Sequence, residues 1–413
     1  MRTLRIAFGA AIAATLLSGC TIDGKPLAHN PDLAALDTGR YGVDPLEPPT
    51  GTEATGRVLE SARMAEALLD PAQIDATLVH SPTGIAVELI PTPSRAAMLL
   101  AEPVRPVLQR HGMVAGAMVG GSDIDGGVYG LEVGKGRALV ALVIRFPDAT
   151  AAQQAATEID AVDTAVNRDN VAVTIPDHPG AHAHWRPTVP TLAATLAQDN
   201  YVISLLIGHT TPDLTILTGL ARKAFDAQSP LLRDFEPTPE DRLAALPLDP
   251  DRMVRLMVPD APGRWMYPGV VSLTEHRHAG WDTDLISTGV SYGPRATLLY
   301  RGPEDKERGP APEAMVTNGF AIVLRYSDPV AAHRRLEKSR ATDAADTTLR
   351  PVDPPAGTSD VSCYQNLKPD FTGMSNFICR MQYGRYNSVV LGRDATGASQ
   401  RAAAQYALLT SGG

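Results

Sequence analysis

The chain has 413 residues, and the 44% of them that are hydrophobic allow a sizeable core and favour two or three domains over one. Its net charge is −9 at pH 7, and its basic residues are not clustered along the sequence. This balance argues against nucleic acid, and against an anionic lipid surface, as a partner.

The first 19 residues have the three zones of a secretory signal. Arg2 and Arg5 supply positive charge, an apolar run extends from Ile6 to Leu17, and small residues follow. The run is shorter than the roughly 20 apolar residues that a transmembrane helix needs. We therefore expect residues 1–19 to be a signal peptide that is removed.

The tetrapeptide Leu17-Ser18-Gly19-Cys20 matches the bacterial lipobox. A small residue before the cysteine lets the peptidase reach the bond, and the thiol takes a diacylglyceryl group. The match predicts a mature chain that begins at Cys20. The alternative is a conventional signal peptide followed by an incidental cysteine.

Lipid on Cys20 would make the membrane the expected partner. Each buried methylene contributes about 0.8 kcal/mol, so two or three acyl chains such as palmitate would hold the protein without a transmembrane helix. The predicted location is the extracytoplasmic face of the cell membrane. Residues 21–50 are rich in Pro, Gly and Asp, so we interpret residues 20–50 as the lipidated cysteine and a tether.

Helical spacing of apolar residues predicts a first helix from Thr52 to Leu69, which Pro71 closes. A second helical stretch is expected between Ser94 and Gln109, where Pro103 and Pro106 must bend or divide it. A glycine-rich passage follows. Two strands are then predicted, at 128–133 and 137–146, with a Gly-Lys-Gly turn between them.

The sequence contains an internal repeat. Ile144–Ala152 aligns with Leu324–Ala332: each has an apolar strand, an Arg-aromatic pair, and an Asp placed to cap a helix. Further on, YVISLLIG at 201–208 resembles YNSVVLG at 386–392, and each leads into a final helix. Chance similarity between two alanine-rich stretches is the alternative explanation.

The repeat predicts the α+β class, with two tandem related domains that are each a mostly antiparallel sheet with helices on one face. The expected divisions are an N-terminal domain at 51–235, a linker at 236–250, and a C-terminal domain at 251–413. Neighbouring strands joined by hairpins favour the antiparallel arrangement.

Cys363 and Cys379 are expected to form a disulfide in the C-terminal domain, because the predicted destination is oxidising. Closing a loop of about 15 residues would stabilise the fold by about 3 kcal/mol on a chain-entropy estimate. Two buried free thiols are the alternative.

Two histidine pairs could contribute to a metal site. On a strand, His182 and His184 would share one face, as would His276 and His278. The sequence anchors no third ligand, so exposed strand histidines are the preferred interpretation and no metal is predicted. The passage from Ser122 to Gly127 resembles a calcium loop, but the other ligand positions of an EF-hand are missing.

Two motifs for hydrolysis, Ser-x-x-Lys and His-Glu-x-x-His, do not occur in the sequence. Residues 289–293 fit the short pattern Gly-x-Ser-x-Gly, which indicates a hydrolase only together with a histidine and an acidic partner that the sequence does not identify. No catalytic residue is therefore assigned and no cofactor is expected. An enzyme is less favoured than a binding protein, although missing motifs do not exclude one.

Several elements of the sequence carry a resemblance to one family: the lipobox, Leu36–Tyr41, Arg63–Ala65, Cys379, Gly384–Tyr386 and Gln400–Tyr406. Together they resemble the uncharacterised two-domain lipoproteins of mycolic-acid-containing actinobacteria. The resemblance covers essentially the whole mature chain and implies a cell-envelope location and a division into N- and C-terminal parts, but it supplies no catalytic residue. More distantly, the architecture is similar to the extracellular sensor domains of some actinobacterial receptor kinases.

The leading functional hypothesis is a surface-tethered ligand-binding or sensing module, with its ligand in a groove between the two copies. A lipid or glycolipid carrier is the alternative, and it would need an apolar cavity large enough for acyl chains. A hydrolase of unfamiliar type is the third hypothesis.

Overall fold

The computed structural model describes residues 32–82, 86–125, 131–272, 285–302, 309–369 and 373–412. The predicted signal peptide, Cys20, and the pair His276 and His278 lie outside the described residues. Among the helices in these ranges, none is both long and apolar enough to cross a membrane.

The N-terminal half is built on one seven-stranded antiparallel sheet with the strand order β1-β2-β3-β7-β6-β5-β4. Its strands are β1 (Val87–Leu89), β2 (Ala115–Ser122), β3 (Ala138–Arg145), β4 (Val171–Ile175), β5 (His178–Trp185), β6 (Thr191–Gln198) and β7 (Tyr201–Gly208). Its helices are α1 (Glu53–Met64), α2 (Pro71–Ile74), α3 (Pro93–Leu99), α4 (Arg105–Arg110), α5 (Ala149–Ala165) and α6 (Leu214–Arg233).

The C-terminal half repeats this topology with the order β10-β11-β12-β16-β15-β14-β13. A separate ribbon of β8 (Gly269–Ser272) and β9 (Leu285–Thr288) precedes it. The sheet strands are β10 (Val290–Tyr292), β11 (Ala314–Thr317), β12 (Ala321–Arg325), β13 (Leu349–Val352), β14 (Val361–Asn366), β15 (Phe377–Tyr383) and β16 (Tyr386–Gly392). The helices are α7 (Pro294–Arg301), α8 (Pro329–Ala345) and α9 (Ala395–Gly412).

The predicted repeat has a structural counterpart at matching positions. Asp148 caps α5 by accepting a hydrogen bond from Ala151 N at 2.8 Å, and Asp328 caps α8 through Ala331 N at the same distance. The two strands that lead into the Arg-aromatic pairs are β3 and β12. Each pairs with the strand of its sheet that comes last in the sequence, β7 and β16 respectively. The α+β class with two tandem antiparallel domains is therefore confirmed.

The helices cover both faces of each sheet, not the single face that the sequence predicted. In the N-terminal half, α5 packs with Leu142 and Val202, whereas α6 packs with their strand neighbours Val143 and Ile203 on the opposite face. The C-terminal half has the same arrangement, with α8 and α9 on opposite faces of β12. The physical reason is visible in β3, where every residue is buried, so that both faces of the strand need a covering layer.

The two halves share a continuous hydrophobic core. Helix α1 and the 3₁₀ turn after it place Met64 and Leu68 in the same buried cluster as Val290 and Tyr292 of the C-terminal half. The junction is consequently filled. A cleft between Leu78 and Leu299 has a volume of only about 30 Å³, roughly the space of one water molecule.

Candidate ligand-binding site

The segment 32–46, called the strap below, packs on the C-terminal half. The part of the predicted tether that the structure describes is therefore packed on the fold and is not a free linker. Leu36 and Tyr41 are 8% and 9% exposed and belong to the core around α9, with Leu33, Val43 and Leu46 packed against that core. These five apolar side chains are enough to bury one side of a segment that is otherwise polar.

Polar contacts hold the strap against α9. Gln400 Nε2 donates to the two carboxylate oxygens of Asp37 at 3.2 and 3.3 Å, and Arg401 Nη2 donates to Tyr41 Oη at 2.9 Å. Gly39 has φ +55°, and a Cβ at this position would lie 2.3 Å from Gln400 Oε1. The positive φ favours glycine at this position, and a Cβ would displace the end of the Gln400 side chain that contacts Asp37.

Two depressions, together called the α9 groove, flank the Asp37–Gln400 contact. The depression next to Cys363 and Cys379, called the disulfide side, has a volume of about 400 Å³. The other depression, called the arginine side because three arginines line it, has a volume of about 310 Å³. The disulfide side is lined by Asp37, Val352, Asp353, Cys363, Phe377, Cys379, Ala395, Thr396, Ala398, Ser399 and Gln400. The arginine side is lined by Arg40, Tyr41, Phe320, Gly392, Arg393, Asp394, Gly397, Gln400 and Arg401.

Cys363 and Cys379 are directly opposed on β14 and β15 and are joined by an S–S bond of 2.07 Å. The predicted disulfide is thus confirmed. The sequence did not reveal that this disulfide would form part of the wall of a groove, because the strap and α9 reach it only in the folded chain.

The Arg401 guanidinium is held between aromatic rings on the arginine side. Its Cζ lies 4.4 Å from the ring centroid of Phe320 and 5.4 Å from that of Tyr41. Nη1 donates to Leu391 O at 3.1 Å, while Nε is buried without a hydrogen-bond partner in the described part of the chain. Burial raises the pKa of the neighbouring Asp260, and the charge of Arg401 opposes that rise.

The first turn of α9 is already capped. Asp394 Oδ1 accepts from Gly397 N at 2.8 Å, so this carboxylate caps one of the free amides at the start of the helix. The positive charge of the groove therefore comes from its arginine side chains and not from an open helix terminus.

His182 and His184 of β5 lie elsewhere, against α5, and the interpretation of exposed strand histidines is wrong for His184. That side chain is 6% exposed, with Nδ1 2.9 Å from Asp160 Oδ1 and Nε2 3.6 Å from Asp163 Oδ2. His182 Nε2 lies 3.3 Å from Thr157 Oγ1. Within the described ranges, no group of three or more His, Cys, Asp or Glu side chains is arranged to hold a metal ion.

The described part of the calcium-like loop contains an ion pair with arginine. Asp123 Oδ1 accepts from Arg137 N at 2.7 Å, and its Oδ2 lies 3.1 Å from Arg137 Nε. Arg137 Nη1 also contacts Asp75 at 3.0 Å. Both carboxylates are thus engaged by a guanidinium.

A buried charge cluster that sequence reasoning missed joins α1, β3 and the linker. Glu60 is fully buried and contacts Arg145 Nη1 and Arg63 Nη1 at 2.6 Å each. Thr238 N and Oγ1 donate to its two oxygens at 3.0 and 2.7 Å. Burial raises the pKa of the nearby Tyr201 to about 12. Because both carboxylate oxygens of Glu60 are engaged by these neighbours, we interpret the cluster as structural.

Models of the N-terminal and C-terminal parts of a domain of unknown function, DUF7373, match residues 47–248 and 256–412. No curated protein matches the chain. A solved structure, the extracellular domain of PknH from Mycobacterium tuberculosis, aligns at 13% identity over 45% of this chain and 98% of that chain. Its TM-score of 0.27 is too low to support an argument about fold or role.

Proposed function

The chain belongs to the DUF7373 family, a domain of unknown function, with both family parts present in order. We propose that it is a membrane-anchored ligand-binding or sensing module of the cell envelope, with the α9 groove as its ligand site. The observation that carries this proposal is the way in which the groove is built. Segments from opposite ends of the chain, the strap and α9, meet on one face of the second sheet and leave two depressions of about 400 and 310 Å³.

The groove has the mixed character of ligand sites. Phe320, Tyr41 and Phe377 provide aromatic surface, and arginine, aspartate and glutamine side chains provide a few oriented polar groups. Its position differs from the sequence hypothesis, which placed a ligand between the two copies. The shared core occupies that junction instead.

Anchorage through lipid on Cys20 is the second part of the proposal. Leu36, where the strap enters the core, lies 16 positions after Cys20. An extended chain of that length spans at most about 55 Å, so the anchor would keep the α9 groove near the membrane surface.

Labelled palmitate should enter the wild-type protein and not a Cys20→Ser variant. Equal labelling of the two proteins would contradict the anchor.

Native mass spectrometry of the detergent-released protein from its own host tests the ligand site. Thr396→Trp would fill the disulfide side and Gly397→Trp the arginine side. Thr215→Trp is the matched control, because Thr215 is the second residue of α6 as Thr396 is of α9. We expect a co-purifying ligand in the wild type and the control, and its loss in at least one of the filled variants.

The nature of the ligand would separate the functional hypotheses. A polar small molecule supports the sensing module, whereas a bound acyl lipid supports the carrier. A protein that carries nothing, or a ligand retained by both filled variants, would contradict a ligand site in the α9 groove.

A further inference from the structure

Three arginines converge on the arginine side of the groove although they are far apart in the sequence. Arg40 comes from the strap, Arg393 from the loop after β16, and Arg401 from α9. Arg40 and Arg393 are exposed, and neither forms an ion pair within the part of the chain that the structure describes. Other arginines of the protein, such as Arg137, are held by carboxylates.

Three acidic groups lie near this cluster, and two of them are engaged by other groups. The third, Asp260, neighbours Arg401, whose charge opposes the rise that burial causes in the pKa of that carboxyl. Asp394 lines the same depression, but its carboxylate accepts from the first turn of α9. Asp37 lines the disulfide side of the groove and accepts hydrogen bonds from Gln400. The described charges that line the depression are therefore three guanidinium groups and one carboxylate, in a chain whose net charge is −9.

Arg401 is fixed in place, which lowers the cost of binding. Two aromatic rings and two hydrogen bonds immobilise its guanidinium before any ligand arrives. Arg40 and Arg393 add exposed guanidinium groups, and the described ranges contain no hydrogen bond from either of them. Guanidinium groups suit phosphate because their planar forks donate paired hydrogen bonds to its oxygens.

We propose that the arginine side of the α9 groove binds a phosphate group, held by Arg40 and Arg393 and oriented by Arg401. This inference rests on the proposed function, since it names the ligand class of the same groove. The phosphate could belong to a free phosphorylated molecule or to a lipid headgroup, because the anchor would keep the groove within reach of the membrane.

The test uses the mature chain with Cys20→Ser, so that no acyl group contributes to binding. Inorganic phosphate is titrated by calorimetry at low ionic strength, and vesicles of phosphatidylglycerol mixed with phosphatidylcholine are compared with vesicles of phosphatidylcholine alone. The variant combines Arg40→Gln with Arg393→Gln. Arg168→Gln, at an exposed position in the N-terminal half, is the matched control.

Loss of two charged hydrogen-bonding groups should weaken binding by about tenfold or more, while the control stays within about twofold of the wild type. Thermal melting should be unchanged, because both altered side chains are exposed. Arginine-dependent binding of phosphate alone identifies a free ligand. Arginine-dependent binding of the anionic vesicles identifies a headgroup, and both results support the site.

The proposal is overturned if the wild type binds neither probe, or if the double variant binds as tightly as the control. Failure of the phosphate proposal can be distinguished from failure of the proposed function. A co-purified ligand that is lost from the Trp variants but kept by the arginine double variant would preserve the groove as a ligand site and remove phosphate as its ligand class.

Discussion

At the scale of single residues, the structure depends on a few polar side chains that are buried and fully partnered. Glu60 is the clearest case, since two arginines and a threonine surround a carboxylate with no exposed surface. Such a group gives little net stability by itself, but removing one member leaves buried charges without partners.

Glu60→Ala should lower the free energy of unfolding by about 3–5 kcal/mol, because Arg145 would remain buried without its carboxylate. Urea denaturation measures the change. Glu53→Ala is the control: this carboxylate lies on the same helix, is 66% exposed and pairs with Arg57, so its loss should cost less than about 1 kcal/mol. Similar losses for the two variants would show that the buried cluster is not a stabilising element.

Asp328 links stability to pH. The hydrogen bond from Ala331 N lowers the pKa of this carboxyl below its usual 3.8. A lowered pKa means that the folded state favours the ionised form, so the stabilisation is present above the usual value and is lost as pH falls through the lowered one. Asp328→Asn keeps a capping acceptor without the charge. The stability advantage of the wild type over this variant should therefore shrink below pH 3.8 in denaturation curves, and a gap that stays constant with pH would contradict the assignment.

At the scale of secondary-structure elements, helix starts were predicted more accurately than the surfaces that the helices cover. Pro106 lies in the first turn of α4 and Pro103 in the 3₁₀ turn before it, so the stretch from 94 to 109 is divided as expected. The continuous apolar run of β3 already pointed to burial on both faces, and the prediction of helices on one face overlooked it.

Asp148→Ala should lower the free energy of unfolding by about 1 kcal/mol, because the amide of Ala151 would lose its acceptor at the start of α5. Asp148→Ser should restore most of the loss, since serine is also a good capping residue. Urea denaturation of the three proteins gives the comparison. Equal stability of the Ala and Ser variants would mean that the cap does not contribute.

At the scale of the whole molecule, the two halves are joined by polar contacts as well as by a shared hydrophobic core. Glu66, just after α1, accepts hydrogen bonds from Arg295 N and Ala296 N at 3.1 and 2.8 Å at the start of α7. Arg295 in turn donates to Leu68 O. A carboxylate of one half therefore caps a helix of the other half, and a common core surrounds the contact.

Glu66→Ala should lower the free energy of unfolding by about 1–2 kcal/mol and reduce the coupling between the halves, since two amides of α7 lose their acceptor. Calorimetry is the measurement. We expect one transition in the wild type and a broadened or divided transition in the variant. Glu337→Ala, at an exposed pair on α8, is the control and should leave a single transition. A variant that unfolds like the control would contradict coupling through this cap.

The amino-acid sequence by itself determined the α+β class, the duplication, the Asp caps of α5 and α8, and the disulfide between Cys363 and Cys379, because each depends on local periodicity, capping chemistry or cysteine number. The lipid on Cys20 is likewise a sequence prediction, and it remains one. Only the tertiary structure decided that the strap packs on α9, that the junction between the halves is filled, and that Arg40, Arg393 and Arg401 share one depression. The physical reason is that these contacts join residues up to about 360 positions apart, and side-chain patterns along a chain carry no information on which distant surfaces will bury each other.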